Sequence, residues 1–182
     1  MGDSNNLNLP NILASFRILL APLMLWFMVD QSNPLFAGWH PSWLDYFAGL
    51  IFVIASVTDF FDGFIARSWN QMTKLGSILD PLADKMLVLA GFIGLIVLDR
   101  ASAFAVFLIL SREFFITGLR VVAVSEGKEV ASTLSGKIKT VVQMIAIGFL
   151  LMNWPMATEL LWLAVALTLY SGYEYIRDYS SK

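Results

Sequence analysis

The sequence predicts an all-α integral membrane protein with six transmembrane helices and both termini on the cytoplasmic side. Three observations lead there. Apolar residues make up 58% of the 182 residues and charged residues only 14%, with a mean hydropathy of +0.70; a soluble domain averages about 45–50% apolar and 25% charged. Six windows of roughly 20 residues, the length that crosses a hydrocarbon core of about 30 Å, carry that apolar content. The basic residues outside the windows fall almost entirely on one side.

The first window runs from Asn11 to Val29. The residues before it carry Asp3 and no Lys or Arg, and no small-residue cleavage pattern ends it, so it is expected to persist as a helix. Pro22 lies inside it and should kink it. The others run from Trp43 to Arg67, Gly76 to Val97, Ala101 to Ser125, Gly136 to Met152 and Pro155 to Arg177. Breakers separate them: Ser32-Asn33-Pro34 with Gly38 and Pro41, Ser68 to Lys74, Asp99-Arg100, Glu126 to Ser135, and Asn153-Trp154-Pro155. No stretch remains for a soluble domain, so residues 1–182 read as a single membrane domain. Arg67, Lys74, Lys128, Lys137, Arg177 and Lys182 share one side with the termini, which makes that side cytoplasmic, and only Arg100 lies on the other. Trp39, Trp43 and Trp154 then belong to the aromatic belt of the outer face.

The balance of 12 Lys plus Arg against 14 Asp plus Glu leaves no basic surplus to follow a nucleic-acid backbone. Zero cysteines and the lone His40 exclude disulfides, thiolate zinc, iron–sulfur clusters, cysteine nucleophiles and imidazole clusters. Any metal must sit on oxygen ligands.

Arg17, Asp59, Asp62, Arg67, Asp80, Asp84, Lys85, Arg112, Glu113, Arg120, Lys137 and Lys139 nonetheless fall inside or at the edges of the spans. An ionisable group at a helix centre costs about 2.5–3.5 kcal/mol, so four carboxylates cost on the order of 10 kcal/mol unless paired, wet or metal-bound. Asp59 and Asp62 share one face at the end of the second span, and Asp80 and Asp84 share one face at the start of the third. Two antiparallel helices joined by the loop from Ser68 to Lys74 bring these pairs together. Four carboxylates at one point cannot all stay ionised without cations, and an all-oxygen set suits Mg²⁺ or Mn²⁺ in a two-metal site. Gly63 and Gly76 leave bare backbone beside that site for a bulky substrate, and Arg67 can pair a phosphate oxygen. The bland reading is a charged cap at the membrane edge with glycines serving helix packing. A small cation transporter would also place carboxylates in the spans, but it would not need Gly63, Arg67 and Gly76 at these spacings.

The pattern Asp59-x2-Asp62-Gly63-x2-Ala66-Arg67-x8-Gly76-x3-Asp80-x3-Asp84 resembles the full signature of the CDP-alcohol phosphotransferase family, with every fixed position filled. That resemblance implies the family's six-helix fold and transfer of a phosphoalcohol from a CDP-linked donor to an acceptor hydroxyl, with release of CMP. It also implies that Asp59, Asp62 and Asp80 hold metals and that Asp84 contributes to the metal site and acts as general base. Gly63, Ala66 and Arg67 match nucleotide-binding positions, Gly76 borders the same donor site, and Thr73 lies where a hydroxyl residue often contacts the nucleotide. Asn11 and Arg17 either line the donor pocket or stabilise the cytoplasmic end of the first span. The resemblance further suggests a homodimer. With no Ser, Cys or His nucleophile in place, in-line attack without a covalent enzyme intermediate is expected.

The acceptor is to be read from the second half. Arg112 and Arg120 lie within about 80° on the helical wheel, and Lys137 and Lys139 open the fifth span. Such a basic group suits an acceptor with its own phosphate, such as glycerol 3-phosphate, better than neutral choline, ethanolamine or serine. The bland alternative makes the lysines headgroup anchors and pairs Arg112 with Glu113 or Glu126. Lys137 and Lys139, two apart on a helix, point in different directions. Ser111-Arg112-Glu113, Gly118-Leu119-Arg120, Gly136-Lys137-Ile138-Lys139-Thr140-x2-Gln143-Met144 and the opening Leu9-Pro10-Asn11-Ile12 are similar to strings in the bacterial phosphatidylglycerophosphate-forming branch of the family. This implies CDP-diacylglycerol and glycerol 3-phosphate as substrates and the bacterial cytoplasmic membrane as the location. The rivals within the family use inositol phosphate, or phosphatidylglycerol to make cardiolipin.

Overall fold

The computed structural model describes residues 9–68, 76–125 and 134–180; the side chains of 9, 10, 60–68, 76–81, 124 and 180 lie outside the description. Among the described residues there are six α-helices and no strand: α1 (Leu9–Val29), α2 (Pro41–Ser68), α3 (Gly76–Val97), α4 (Ala103–Ser125), α5 (Leu134–Leu151) and α6 (Ala157–Ser180), with a 3-10 turn at Pro34–Phe36 between the first two. All six expected windows are helical, and local chemistry moves their ends. His40 starts α2 early, because its Nδ1 accepts from the Ser42 amide at 3.3 Å and leaves Pro41 free to open the helix. The Ser102 carbonyl accepts from the Val106 amide at 3.0 Å, which sets the start of α4 at Ala103. Met156 is left-handed, with φ 66°, so α6 begins only at Ala157.

Among the described residues three stretches, Asn11–Val29, Pro41–Asp59 and Leu134–Leu151, are long and apolar enough to cross a membrane. In α3 and α4 the ionisable residues interrupt otherwise comparable runs. Leu19, Val53, Phe104, Phe107, Val121, Val141, Leu163 and Tyr170 are exposed on the helix surfaces. Water would penalise so much outward apolar area, whereas lipid accepts it. The chain is a membrane protein.

Residues 1–98 and 99–182 form two compact units. In the first, α1 packs along both α2 and α3. Asn11, Ala14, Arg17, Ala21, Met24 and Met28 are buried at three- and four-residue steps, with Leu20 beside them, the spacing of a narrow packing stripe. A Cβ on Gly94 of α3 would lie 2.5 Å from Met28 Cε, so a bare glycine is what lets α1 and α3 approach. The turn after α1 is held by the Asp30 carboxylate, which accepts from Trp26 Nε1 at 3.2 Å and Asn33 Nδ2 at 2.6 Å. Trp26, Phe27, Phe36, Trp39 and Phe47 gather around it. A shallow pocket of about 400 Å³, lined by Gly38, Trp39, His40, Trp43 and Phe47, opens there.

In the second unit α6 packs against both α4 and α5. Leu161, Ala164, Thr168, Ser171 and Tyr175 mark its buried stripe. The Arg100 guanidinium donates to the Leu151 carbonyl at 2.8 Å, so the basic residue that stood alone in the sequence reading caps the C-terminus of α5. Past that end, the Trp154 amide donates to the Phe149 carbonyl at 3.0 Å and the Asn153 amide to the Leu150 carbonyl at 3.2 Å, and the Phe149 and Trp154 rings meet edge to face at 5.1 Å. This is a Schellman closure with its hydrophobic contact. Asn153 is left-handed there, with φ 51°. Asn153→Val is therefore expected to lower stability by about 1–2 kcal/mol, and Asn153→Gly to leave it unchanged or slightly raised. Thermal unfolding in detergent measures both; a parental midpoint for the valine variant contradicts the assignment.

Candidate functional site

On α2 the buried positions Leu44, Ala48, Phe52 and Ala55 step along one face, and Asp59, four residues on, continues it. On α1 the buried stripe places Arg17 between Ala14 and Ala21, whose methyl side chains leave room for a long neighbour. The two faces meet. Arg17 Nη1 pairs with Asp59 Oδ1, with Arg17 completely enclosed and about a third of the Asp59 side chain still open. Asp84 lies half-buried on α3, beside the packed Ala83 and one turn before the packed Leu87. Helices α2 and α3 are in contact within this unit.

The other members of the aspartate motif have described backbone only. Asp62, Gly63, Ala66 and Arg67 lie in the last turns of α2; Gly76 opens α3 and Asp80 follows one turn later. Their side chains are outside the described ones, and Thr73 lies outside the described residues altogether. Among the described residues no three carboxylates or imidazoles form a cluster; only two of the four motif aspartates enter that comparison. Asn11 is buried on the same stripe as Arg17, and its carbonyl accepts from Ser15 Oγ at 2.8 Å.

The second unit carries the basic residues. Arg112 continues the buried face of Ala105 and Ile109. Its Nη2 donates to Ser171 Oγ at 3.0 Å, and its Nη1 lies 3.5 Å from Glu113 Oε1. Ser171 Oγ in turn donates to the Thr168 carbonyl at 3.0 Å, and Gln143 Nε2 donates to Thr168 Oγ1 at 2.8 Å. Gly172 allows the close approach, since a Cβ there would lie 3.1 Å from Arg112 Cγ. Lys139 Nζ pairs with Glu113 Oε1, and Ser135 Oγ donates to Glu174 Oε2. The structure thus separates the two lysines: Lys139 is buried in an ion pair, while Lys137 is exposed, as is Arg120. Two buried donors, Arg112 Nε and the Tyr175 hydroxyl, have no hydrogen-bond partner among the described residues.

Ser171, Gly172, Tyr175 and the linking Glu113 were not singled out as site residues in the sequence. A signal was there: Thr168, Ser171 and Tyr175 put polar groups at steps of three and four along one face of α6, a pattern that marks interhelical hydrogen bonding in membranes.

Comparison with known proteins adds to this geometry. Residues 7–170 match the family model described as CDP-alcohol phosphatidyltransferase. A Bacillus subtilis (strain 168) protein named CDP-diacylglycerol--glycerol-3-phosphate 3-phosphatidyltransferase is 42% identical, over 92% of this chain and 93% of its own. Proteins of the same name from Escherichia coli (strain K12) and Rickettsia felis are 37% and 35% identical; the matches cover 93% of this chain with 93% and 94% of theirs.

Proposed function

The chain belongs to the CDP-alcohol phosphatidyltransferase family, and from that premise we propose that it transfers the phosphatidyl group of CDP-diacylglycerol to glycerol 3-phosphate, giving phosphatidylglycerol phosphate and CMP. One observation carries the reading: the relatives named for this reaction match over more than nine-tenths of the chain. The family match includes both the aspartate motif and the segment from Arg112 to Lys139. Residues 1–182 act as one catalytic domain with six spans, cytoplasmic termini and a cytoplasmic active site. The membrane is the bacterial inner membrane and the working form a homodimer.

The family is generally dependent on divalent metal. The residues fit such an ion, because the motif donors are all carboxylate oxygens and Asp59 keeps open surface beside its ion pair. Asp59, Asp62, Asp80 and Asp84 would hold Mg²⁺ or Mn²⁺, two ions by ligand count. Bound there, the metal would neutralise charge on the diphosphate and the departing CMP.

The chain's own groups do the rest. Gly63, Ala66 and Gly76 let the donor approach the backbone, Arg67 pairs a diphosphate oxygen, and Asn11 and Thr73 belong to the same donor set. Arg112, Arg120, Lys137 and Lys139 hold the acceptor phosphate. The Arg112 Nε and Tyr175 hydroxyl support that assignment, as buried donors lacking a partner among the described residues. Asp84 accepts the proton of the attacking hydroxyl. The hydroxyl oxygen bonds to the β-phosphorus as the bond to the CMP oxygen breaks, with no covalent intermediate on the enzyme.

CMP release by purified protein in detergent, with CDP-diacylglycerol and Mg²⁺, tests the acceptor. Glycerol 3-phosphate is expected to drive release, with inositol phosphate and phosphatidylglycerol inactive; release driven by either of those instead contradicts the reading of the basic residues. Asp84→Asn is expected to lower turnover by about 100-fold or more while sparing CDP-diacylglycerol binding, because general-base catalysis is worth about 10²–10⁴-fold. Activity above roughly a tenth of the parent removes Asp84 from that role.

A further inference from the structure

Among the described residues Arg17 is the largest fully enclosed polar side chain. It sits on the packing stripe of α1, where an apolar residue would normally stand. A buried ion pair is seldom favoured for stability alone, because desolvation offsets the Coulombic gain and an apolar pair of similar volume packs as well or better. The surroundings of Arg17 are nevertheless shaped to admit it. Ala14 and Ala21 flank it on α1, and Ala55 precedes Asp59 by one turn on α2; all three are completely buried. With no accessible surface, Arg17 does not itself meet a substrate. Its Nη1 meets Oδ1 of Asp59, whose side chain remains 32% exposed. An ionised carboxylate has two oxygens and about four acceptor directions, so a contact at Oδ1 does not by itself use up the acceptors of Asp59, whose side chain keeps open surface.

We propose that Arg17 is a positioning residue for the metal site: it fixes the Asp59 carboxylate through Oδ1 so that Oδ2 is presented to a divalent cation. The inference rests on the metal-site reading given above. Partners one shell out from a metal hold its ligands in orientation, and losing one typically weakens affinity by about 10–100-fold. The rigid planar fork of arginine suits that task better than a single ammonium on a flexible stem. It also explains why a permanent cation is buried beside a cation site, where its charge alone works against metal binding.

The test follows from that opposition of sign. Mn²⁺ affinity is measured by electron paramagnetic resonance on purified protein in detergent, without substrates, for the parent, Arg17→Met and Arg17→Lys; circular dichroism verifies the helical fold. Charge alone predicts tighter Mn²⁺ binding in Arg17→Met, because a repelling cation is gone. Positioning predicts weaker binding, by about 10–100-fold. Arg17→Lys keeps the charge, so a smaller but clear loss reports the missing fork. Parental or tighter affinity in either folded variant overturns the proposal, and Arg17→Lys carries the test if Arg17→Met does not fold. A parent that binds no Mn²⁺ removes the metal-site reading itself, and the inference with it.

Discussion

Lipid supplies neither counter-charge nor hydrogen bonds, so an ionised side chain on the packing face of a membrane helix must find its partner inside the protein. Among the described residues three cations stand in that position. Arg17, Arg112 and Lys139 all lie on buried stripes, and each meets a carboxylate: Asp59 for the first and Glu113 for the other two. The pairs also tie elements together. Arg17 joins α1 to α2, Lys139 joins α5 to α4, and Arg112 reaches α6 through Ser171. Deleting one member of such a pair leaves a buried charge uncompensated, which costs more than the pair contributes.

Small residues make these contacts possible. Long polar side chains need space between helices that apolar packing would close. Ala14, Ala21 and Ala55 provide it around Arg17, and Gly172 provides it along Arg112. Gly94 does the opposite work in the first unit, admitting Met28 so that α1 and α3 close together away from the charges. Each unit thus combines a tightly packed apolar part with a polar part held open by alanine or glycine. The polar parts contain Asp59, Arg112 and Lys139, for which roles in the chemistry are proposed.

The helices were legible because long apolar runs bounded by Pro, Gly and Asn leave little choice of element. Their ends shifted where a cap or a left-handed residue decided matters, as at His40, Ser102 and Met156. The family was legible from the aspartate motif, whose spacing is similar to the CDP-alcohol phosphotransferase signature. The partner of Arg17 was not, because Asp59 lies 42 positions away and the pair depends on how α1 and α2 pack. The stripe of Ala14, Arg17 and Ala21 came from the packing of the helices. The two lysines could not be ranked without the fold, which buries Lys139 against Glu113 and leaves Lys137 exposed. Arg100 was read only as a charge on the outer side; its role as the cap of α5 needed the position of Leu151.

The aspartates of α2 and α3 are proposed to form one divalent-metal site, with Asp59 oriented from behind by Arg17. Anomalous diffraction from crystals of the protein grown with Mn²⁺ tests it directly. The account predicts Mn²⁺ density bonded to carboxylate oxygens of Asp59 and Asp84 at about 2.0–2.2 Å, near the Mg²⁺ distance, with the Arg17–Asp59 pair intact. Density confined to other residues, or a metal that binds only after Arg17 has left Asp59, would contradict it.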